Sequence, residues 1–279
     1  MNNSILIVGS GAWGNKLKSL FTGWGFTVEQ CGARKFLTLT SKEIESISKN
    51  HTVWIASTPD LQIKVVAGIS KSSNIQRLIL EKPFFRDHQE ELKFFEVIKC
   101  TEVSISASSP WLYSDIWLKS KPKILKLLAP LHFSILRSGP VRNKSIPPYL
   151  DWLAHDVQLI FNLFYSETNL ETLQKIKREI HKDFGKIDIE FSNGSTIEMR
   201  GGISKNKESR WLVQDSNKDE LEIDFNKKFY KHYNNKKTLN YEYKSPNDDN
   251  PLLNMYTHFR NNPEERNIQS FFQWQSVLI

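Results

Sequence analysis

The sequence predicts an α/β fold, with a doubly wound parallel sheet in its N-terminal part and an α+β region after it. Short apolar strands alternate with helical patterns in the N-terminal part, and a glycine-rich turn opens the first helix. Later in the chain, strands follow one another without intervening helices. We therefore predict two domains, one over residues 1–118 and one over residues 119–279.

The composition is that of a globular protein. The 279 residues are 39% hydrophobic and 25% charged, which is enough for two cores of ordinary size. The net charge is +7, but acids are interspersed among the lysines. This pattern favours a solvated surface, so we predict no nucleic-acid partner. No apolar stretch has the length needed to cross a membrane, so no membrane association is predicted either.

The two cysteines and the N-terminal sequence bear on the compartment. Cys31 and Cys100 lie in separate elements and lack the spacing of a zinc site or a disulfide framework. The sequence MNNSILIVGSG has no basic residues before its apolar run, which predicts no signal peptide. Together these features favour a reducing cytoplasm and no bound metal.

Five strands of the parallel sheet are predicted from short apolar runs. Their expected ranges are 4–8, 26–30, 52–56, 76–80 and 102–106. Helical patterns lie between them. One follows the glycine-rich turn, a second covers residues 41–48, a third runs from a cap at Asp60 to about Ser70, and a fourth starts at Asp87.

A nucleotide-binding turn is predicted directly after the first strand. The residues that match G-x-G-x-x-G, in the required place between a strand and a helix, are Gly9, Ser10, Gly11, Ala12, Trp13 and Gly14. Gly9 permits the tight turn, Gly11 lets a pyrophosphate approach the backbone, and Gly14 lets the helix pack on the sheet. The helix N-terminus then offers N–H groups and a positive dipole end to the phosphates. A Rossmann domain is therefore predicted, with a ligand-free glycine turn as the alternative.

The end of the second strand favours NADP(H) over NAD(H). In NAD sites an acid at this strand end usually holds the ribose 2′-hydroxyl. Here the corresponding position falls near Glu29, which lies inside the strand, and the exit reads Cys31-Gly32-Ala33-Arg34. Two small residues beside a guanidinium suit a 2′-phosphate. The alternative is that Arg34 is a surface residue without a ligand.

The fourth strand ends in a charged stretch, Glu81-Lys82-Pro83, which interrupts an apolar run. Ligands of open α/β sheets bind at such strand ends, and charged groups are seldom buried without a partner. Pro83 restricts Lys82 to an extended conformation, and a cis bond before the proline would change the direction of the lysine. We therefore predict Lys82 at a ligand site, with a salt bridge to Glu81 as the structural alternative.

A long helix and several strands are predicted in the C-terminal part. Alternation over 131–139 predicts a strand, and Pro147-Pro148 introduce an amphipathic helix over 149–164. Asp151 and His155 are four residues apart in this helix and therefore share a face. The remaining predicted elements are a hairpin over 186–203 that turns at Asn193-Gly194, strands over 210–215 and 220–225, and a terminal helix over 267–279.

Four segments of the sequence resemble the Gfo/Idh/MocA family of nicotinamide-dependent oxidoreductases, which includes glucose–fructose oxidoreductase and inositol dehydrogenase. The segments, in family order, are VGSGAWG, ASTPD, LEKPF and DWLAHD. The resemblance covers most of the chain and is strongest over residues 4–160. It implies a second domain with an open, mainly antiparallel sheet that binds substrate and forms homodimers or homotetramers.

The resemblance also implies the site residues. Lys82, Asp151 and His155 are expected to line the substrate site beside the nicotinamide. The residues expected to bind the cofactor are Gly9, Gly11, Ala12, Trp13, Gly14, Arg34, Ser57, Thr58, Pro59, Gln62, Glu81 and Lys82.

The implied reaction moves a hydride between nicotinamide C4 and a carbon of a small molecule, a sugar, cyclitol or nucleotide sugar. His155 is the expected acid or base, because imidazole titrates near neutral pH. Lys82 is expected to hydrogen-bond the substrate oxygen, or to share its proton if burial and the charge of the oxidised cofactor lower the pKa of the lysine. Asp151 is expected to orient His155 or to hold a second hydroxyl group.

Four departures from the family pattern leave other functions open. Gln62 lies near the place of a family histidine, ASSPWLYSD replaces a polar pair, Gln158 replaces a second acid, and Leu153 replaces the glycine of D-x-G-x-H. One alternative is NADPH-dependent reduction of an imine or a conjugated C=C bond, as in thiazolinyl imine reductase and biliverdin reductase relatives. The other is a nucleotide-binding regulatory protein without turnover. The aromatic residues that either line an apolar pocket or belong to the core are Trp111, Tyr113 and Trp117.

Overall fold

The computed structural model divides the chain into two compact units. The residues that it describes are 4–49, 51–70, 75, 77–141, 146–165, 173–262 and 274–279. The first unit contains the described residues up to Ser108 and those from His258 onward except Leu278. The second unit contains the described residues of Ser109–Thr257 together with Leu278. Among the helices described, none is both long and apolar enough to span a membrane.

The first unit is built around a five-stranded parallel sheet, as predicted. Its strands are β1 (Ser4–Val8), β2 (Thr27–Cys31), β3 (Thr52–Ile55), β4 (Arg77–Leu80) and β5 (Ile105–Ala107). They lie in the order β2-β1-β3-β4-β5. β2 therefore lies on one side of β1, and β3, β4 and β5 follow one another on its other side. All residues of β1, β3 and β4 are buried, which is why these strands are mostly apolar runs without alternation.

Helices connect these strands and begin at identifiable caps. They are α1 (Ala12–Gly23), α2 (Ala33–Phe36), α3 (Ser41–Ser48), α4 (Pro59–Ile69) and α5 (His88–Lys99). Thr40 and Glu43 form a reciprocal capping box at α3, and the Asp87 side chain caps α5. The prediction of a cap at Asp60 is wrong. Thr58 is the N-cap of α4, and Asp60 lies in the first turn, where its charge favours the helix N-terminus.

The second unit contains an eight-stranded sheet. Its strands are β6 (His132–Gly139), β7 (Leu173–Ile180), β8 (Phe184–Phe191), β9 (Thr196–Ile203), β10 (Glu208–Gln214), β11 (Glu220–Asp224), β12 (Phe229–Tyr233) and β13 (Leu239–Lys244). The order is β13-β12-β11-β10-β6-β9-β8-β7. β6 and β9 pair in parallel, and the other pairs between these described strands are antiparallel. The open, mainly antiparallel sheet is therefore confirmed, although β7, β12 and β13 were not predicted.

Three further helices lie in the C-terminal part of the chain: α6 (Asp115–Ile124), α7 (Pro148–Tyr165) and α8 (Pro251–Asn261). Of these, only α7 was predicted. Helix α7 packs closely on the eight-stranded sheet because the strands carry glycine beneath it. A Cβ atom on Gly139 would lie 2.5 Å from the Trp152 ring, and one on Gly201 would lie 2.5 Å from Leu153 Cγ.

The division into units differs from the expected boundary after residue 118 in two places. A 3₁₀ helix, Pro110–Tyr113, and α6 belong to the second unit, where Trp111 packs edge-on against Phe225 and Trp117 against Trp211. The described residues from His258 onward belong, apart from Leu278, to the first unit.

The end of the chain also differs in secondary structure. A terminal helix was predicted over residues 267–279. The described part of it is a 3₁₀ helix, Trp274–Leu278, followed by Ile279, and residues 267–273 lie outside the described residues. Gln275 is held there by the backbone of Phe84 and Phe85, a long-range contact that no local pattern indicates.

Candidate active site

The carboxyl edge of the parallel sheet brings most of the predicted cofactor residues together. Along this edge, the first residue after one strand donates its N–H to the last carbonyl of the neighbouring strand. The four bonds run from Gly9 to Cys31 (2.8 Å), Ala56 to Val8 (2.9 Å), Glu81 to Ile55 (3.1 Å) and Ser108 to Leu80 (2.7 Å). The glycine-rich turn, the Ser57-Thr58-Pro59 turn and the Glu81-Lys82-Pro83 stretch therefore follow one another at one level of the sheet. This is the edge at which open α/β sheets bind ligands.

The glycine-rich turn has the shape that a phosphate loop requires. Gly9 has φ +149°, and a Cβ atom there would lie 2.1 Å from the Ala56 carbonyl oxygen. A Cβ atom on Gly14 would lie 2.3 Å from the Gly9 carbonyl oxygen. At Gly11, by contrast, a Cβ atom would point into open space. The first and third glycines are therefore required by the fold, whereas the second leaves room for a ligand.

The start of α1 is suited to an anion. Gly11 is the N-cap and provides no side-chain cap, and the first turn contains no acidic residue. Ala12 and Trp13 lie in this first turn. The N–H groups and the positive end of the helix dipole are therefore not neutralised by a carboxylate of the same turn. These residues fit the pyrophosphate of a dinucleotide.

No acid directly follows β2. Glu29 is inside β2, and its Oε1 lies 3.7 Å from Nε2 of His51. Gly32 follows the strand, and Arg34 is an exposed residue of α2. The first charged residue after β2 is therefore Arg34, which is positive.

The stretch after β4 is held from inside the first unit. The Lys82–Pro83 peptide bond is cis, and Lys82 is half-buried. Gln62 on α4 donates its side-chain amide to three carbonyl oxygens, those of Glu81 (2.8 Å), Ser57 (3.2 Å) and Pro83 (3.3 Å). The position of Lys82 therefore depends on Gln62 as well as on its own strand.

Glu81 is a buried carboxyl group at the centre of this edge. Burial raises the pKa of Glu81 above its ordinary value, and hydrogen bonds from Trp13, Ser108 and Trp54 oppose the shift, as does the charge of Lys82. The bond from Trp54 Nε1 measures 2.9 Å. Because its donors come from the glycine-rich turn, from β3 and from the residue after β5, Glu81 links three segments of the edge.

Asp151 and His155 lie on α7 in the second unit. Asp151 is in the first turn of α7 and His155 one turn later, and both are half-buried. The i, i+4 spacing therefore places them on one face of the helix, as predicted. Lys82 belongs to the first unit, so the grouping of all three residues stays a prediction.

The residue next to His155 has a structural role. Asp156 is fully buried and accepts two hydrogen bonds from Arg137, at 2.5 Å and 2.9 Å, and one from Trp211 Nε1 at 2.7 Å. Such a buried, bidentate pair fixes the rotation of α7 on the sheet, and thereby the direction in which His155 points.

The three predicted aromatic residues differ in burial. Trp117 is fully buried and its Nε1 donates to Asn162, so it belongs to the core. Trp111 and Tyr113 are half-buried, and the Trp111 ring lies over the Arg137 guanidinium at 5.7 Å. Among the described residues there is no cluster of three or more His, Cys, Asp or Glu side chains that could hold a metal ion.

Sequence reasoning missed two residues of this edge. It did not identify Gln275, whose Oε1 accepts from Phe84 N–H at 2.8 Å and whose Nε2 donates to the Phe85 carbonyl at 2.6 Å. Nor did it identify Ser108 as a partner of Glu81. A glutamine far along the chain gives no sequence signal, whereas Ser108 directly follows a predicted strand.

Comparison with known proteins identifies the fold. No family model matches the chain, and no curated protein matches it. The UDP-N-acetylglucosamine 3-dehydrogenase GnnA from Acidithiobacillus ferrooxidans is 12% identical, with a TM-score of 0.74 over 99% of this chain and 95% of its own. The dehydrogenase MviM from Clostridium difficile is 10% identical, with a TM-score of 0.70 over 100% and 98%.

A third solved structure is biliverdin reductase from Synechocystis in complex with biliverdin and NADP⁺. It is 11% identical, with a TM-score of 0.72 over 99% of this chain and 96% of its own. These likenesses extend over both units. The chain therefore shares the two-domain fold of these oxidoreductases.

Proposed function

We propose that the chain is an NAD(P)-dependent oxidoreductase that acts on a carbon of a sugar, cyclitol or nucleotide sugar. The observation that carries the proposal is the arrangement at the carboxyl edge of the parallel sheet. A phosphate loop with open space at Gly11 lies two strands away from the Glu81-Lys82-Pro83 stretch, at the same level of the sheet. The likeness to a nucleotide-sugar dehydrogenase supports the substrate class.

Each part of this edge has a role in binding the cofactor. The backbone at Gly11, Ala12 and Trp13 binds the pyrophosphate, because this helix start has no acidic neighbour. The turn Ser57-Thr58-Pro59 borders the same crevice after β3. When bound, the nicotinamide supplies or accepts the hydride.

Lys82, Asp151 and His155 are the proposed catalytic residues. Lys82 donates a hydrogen bond to the substrate oxygen and so stabilises the charge that develops on it. His155 gives or takes the proton of that oxygen, and Asp151 orients His155 or binds a second hydroxyl group. The family resemblance supports the grouping, and the fixed rotation of α7 through Asp156 supports a defined direction for His155.

NADP(H) is the proposed cofactor rather than NAD(H). The support is the absence of an acid in the described stretch Cys31-Gly32-Ala33-Arg34, together with the exposure of Arg34. Titration of the protein with NADPH and NADH, followed by nicotinamide fluorescence, tests this. We expect tighter binding of NADPH, and we expect Arg34→Ala to weaken NADPH binding while leaving NADH binding unchanged.

A second candidate function is reduction of an imine or a conjugated C=C bond. The likeness to biliverdin reductase favours it, as do the half-buried Trp111 and Tyr113 in place of the family's polar pair. A nucleotide-binding regulatory role without turnover is the third candidate. The cytoplasmic location stays a prediction.

We also propose that the protein forms a homo-oligomer through the face of the eight-stranded sheet that lies opposite α7. Leu136 and Phe184 are 38% and 43% exposed there, beside ion pairs such as Lys186–Glu198 at 2.9 Å. Light scattering on the purified protein tests the proposal. We expect a dimer or tetramer, and a smaller mass for Leu136→Glu because a charge would then enter the apolar part of the contact.

The experiment that tests the function compares wild type with Lys82→Ala. Turnover is followed by nicotinamide absorbance with a panel of UDP-sugars, cyclitols, cyclic imines and biliverdin. We expect one polyol class to react, and Lys82→Ala to reduce kcat far more than it weakens NADPH binding. Reaction of only an imine or biliverdin supports the second candidate. NADPH binding without any turnover would overturn the enzymatic proposal.

A further inference from the structure

We propose that Gln62 is a positioning residue, which holds the backbone on both sides of Lys82 so that its amino group is presented for the reaction. The inference rests on the proposed function, because only a catalytic Lys82 needs its amino group to be held in one direction. Gln62 was expected to contact the cofactor. Its amide binds the backbone around Lys82, which is a further role at the same site, and the expected cofactor contact stays a prediction.

The hydrogen bonds bracket the lysine. Gln62 Nε2 lies 2.8 Å from the carbonyl oxygen of Glu81, the residue before Lys82, and 3.3 Å from that of Pro83, the residue after it. The peptide group that precedes Lys82 and the one that follows Pro83 are thus held by one side chain. A third bond, to the Ser57 carbonyl at 3.2 Å, joins this point to the turn after β3.

The amide orientation follows from the partners. Carbonyl oxygens only accept hydrogen bonds, so the nitrogen and not the oxygen of the Gln62 side chain must face the three of them. Gln62 is 1% exposed, so water does not readily reach the three carbonyl oxygens to replace the amide as their hydrogen-bond donor. Loss of the amide would leave the carbonyls of Glu81 and Pro83 without this donor in a buried place, where an unsatisfied polar group is costly.

A glutamine suits this position better than the histidine of the family pattern. A neutral imidazole has one N–H donor, whereas a primary amide has two N–H groups in one plane. The two amide hydrogens can therefore reach the carbonyl oxygens of Glu81 and Pro83, and the carbonyl oxygen of Ser57 shares one of these hydrogens. The departure from the family pattern at Gln62 is therefore compatible with an active site, because the side chain acts on the backbone and need not touch the substrate.

Gln275 provides a matched control. It is also buried, at 3% exposed, and it also binds backbone atoms of this stretch. Its partners are Phe84 N–H at 2.8 Å and the Phe85 carbonyl at 2.6 Å, which lie beyond Pro83. Gln62→Met and Gln275→Met remove the same amide from the same stretch, but only the first removes the bonds that bracket Lys82.

The experiment measures Lys82 directly and needs no substrate. Full-length wild type, Gln62→Met and Gln275→Met are labelled with trace acetic anhydride over a range of pH, and mass spectrometry gives the rate at each lysine. For Gln62→Met we expect the rate at Lys82, relative to the other lysines, to change by about three- to tenfold, the factor expected for one lost hydrogen bond. For Gln275→Met we expect no change at Lys82. Thermal unfolding is measured on all three proteins, and we expect both variants to lose stability.

Two outcomes would overturn the positioning role. One is an unchanged labelling profile at Lys82 in Gln62→Met, and the other is an equal change in Gln275→Met, which would indicate general loosening. Turnover and NADPH binding are measured on the same samples. If Lys82 labelling changes only in Gln62→Met but wild type turns over no substrate, the proposed function fails and the positioning stands. If wild type turns over and Lys82 labelling is unaffected by Gln62→Met, the positioning fails alone.

Discussion

The two units hold their candidate site residues by different physical means. In the first unit, three short stretches follow parallel strands, and their positions are set by backbone hydrogen bonds along one sheet edge. In the second, one helix carries both candidate residues, and its position is set by side chains that pack on glycine and by a buried ion pair. Changes in the first unit should therefore alter ligand binding before stability. Changes under α7 should alter stability first.

The largest effect is expected at the buried ion pair. Asp156→Ala removes the acceptor of two Arg137 hydrogen bonds and leaves a guanidinium that is 2% exposed without its carboxylate. Breaking such a pair costs about 3–5 kcal/mol. Urea unfolding measures the loss. The control is Glu198→Ala on the half-exposed pair with Lys186, where we expect less than about 1 kcal/mol. Similar losses in the two variants would contradict this account of α7.

The next effect is expected where α7 meets the sheet. Gly201→Ala places a methyl group 2.5 Å from Leu153 Cγ, and overpacking of this kind costs about 1–3 kcal/mol. Leu153 occupies the place of the glycine in the family's D-x-G-x-H pattern, and Gly201 on β9 gives the leucine side chain its room.

A double-mutant cycle with Leu153→Ala tests whether Leu153 and a side chain at position 201 compete for the same space. Removing the leucine gives the new methyl group room, so we expect Gly201→Ala to cost at least about 1 kcal/mol less in the Leu153→Ala background. Urea unfolding of the four proteins measures it. Additive losses would mean that the two residues do not share the space.

The pH dependence of stability probes Glu81 in the first unit. Burial raises its folded-state pKa above 4.5, so the stability that it contributes is present below 4.5 and is lost as pH rises through the folded value. In Glu81→Gln this loss is absent. We therefore expect wild type to lose stability relative to the variant as pH rises from 4.5, by up to about 1.4 kcal/mol per pH unit.

Glu43 supplies the opposite case. Hydrogen bonds from Thr40 lower its pKa, so its contribution is present above 4.5 and is lost as pH falls through the lower folded value. Urea unfolding of Glu81→Gln above pH 4.5 and of Glu43→Gln below pH 4.5 should give stability differences from wild type that change with pH in opposite directions. A pH dependence of the same sign in both variants would show that burial does not control the pKa of Glu81.

The sequence predicts the first unit well because its determinants are local. The turn at Gly9 and the cap at Asp87 each depend on a few adjacent residues, and both are where the pattern indicates. The parallel and antiparallel sheets were likewise predictable from alternation and from the order of elements. The helix over 149–164 was predictable because its amphipathic pattern is long.

What the sequence could not indicate depends on pairs far apart in the chain. Gln275 binds the stretch after Pro83 from near the C-terminus, and Arg137 meets Asp156 from the middle of a strand. Strand β7 escaped prediction because seven of its eight residues are exposed, so it has no apolar face to produce alternation. Gln62 was recognised as a departure, but its role required knowing where three carbonyl oxygens lie.

The smallest effect on stability, and the sharpest test of the first unit, is expected at Gly11. Its φ of −73° and ψ of 179° suit any residue, and a Cβ atom there meets open space. Aspartate is a preferred N-cap and its charge favours a helix N-terminus, so Gly11→Asp should keep or raise stability by a few tenths of a kcal/mol. The same carboxylate would repel a pyrophosphate, so NADPH binding should fall at least about tenfold. Gly11→Asn has the same size without the charge and should lose less affinity. If Gly11→Asp binds NADPH as wild type does, the open space at Gly11 is not where the phosphates bind.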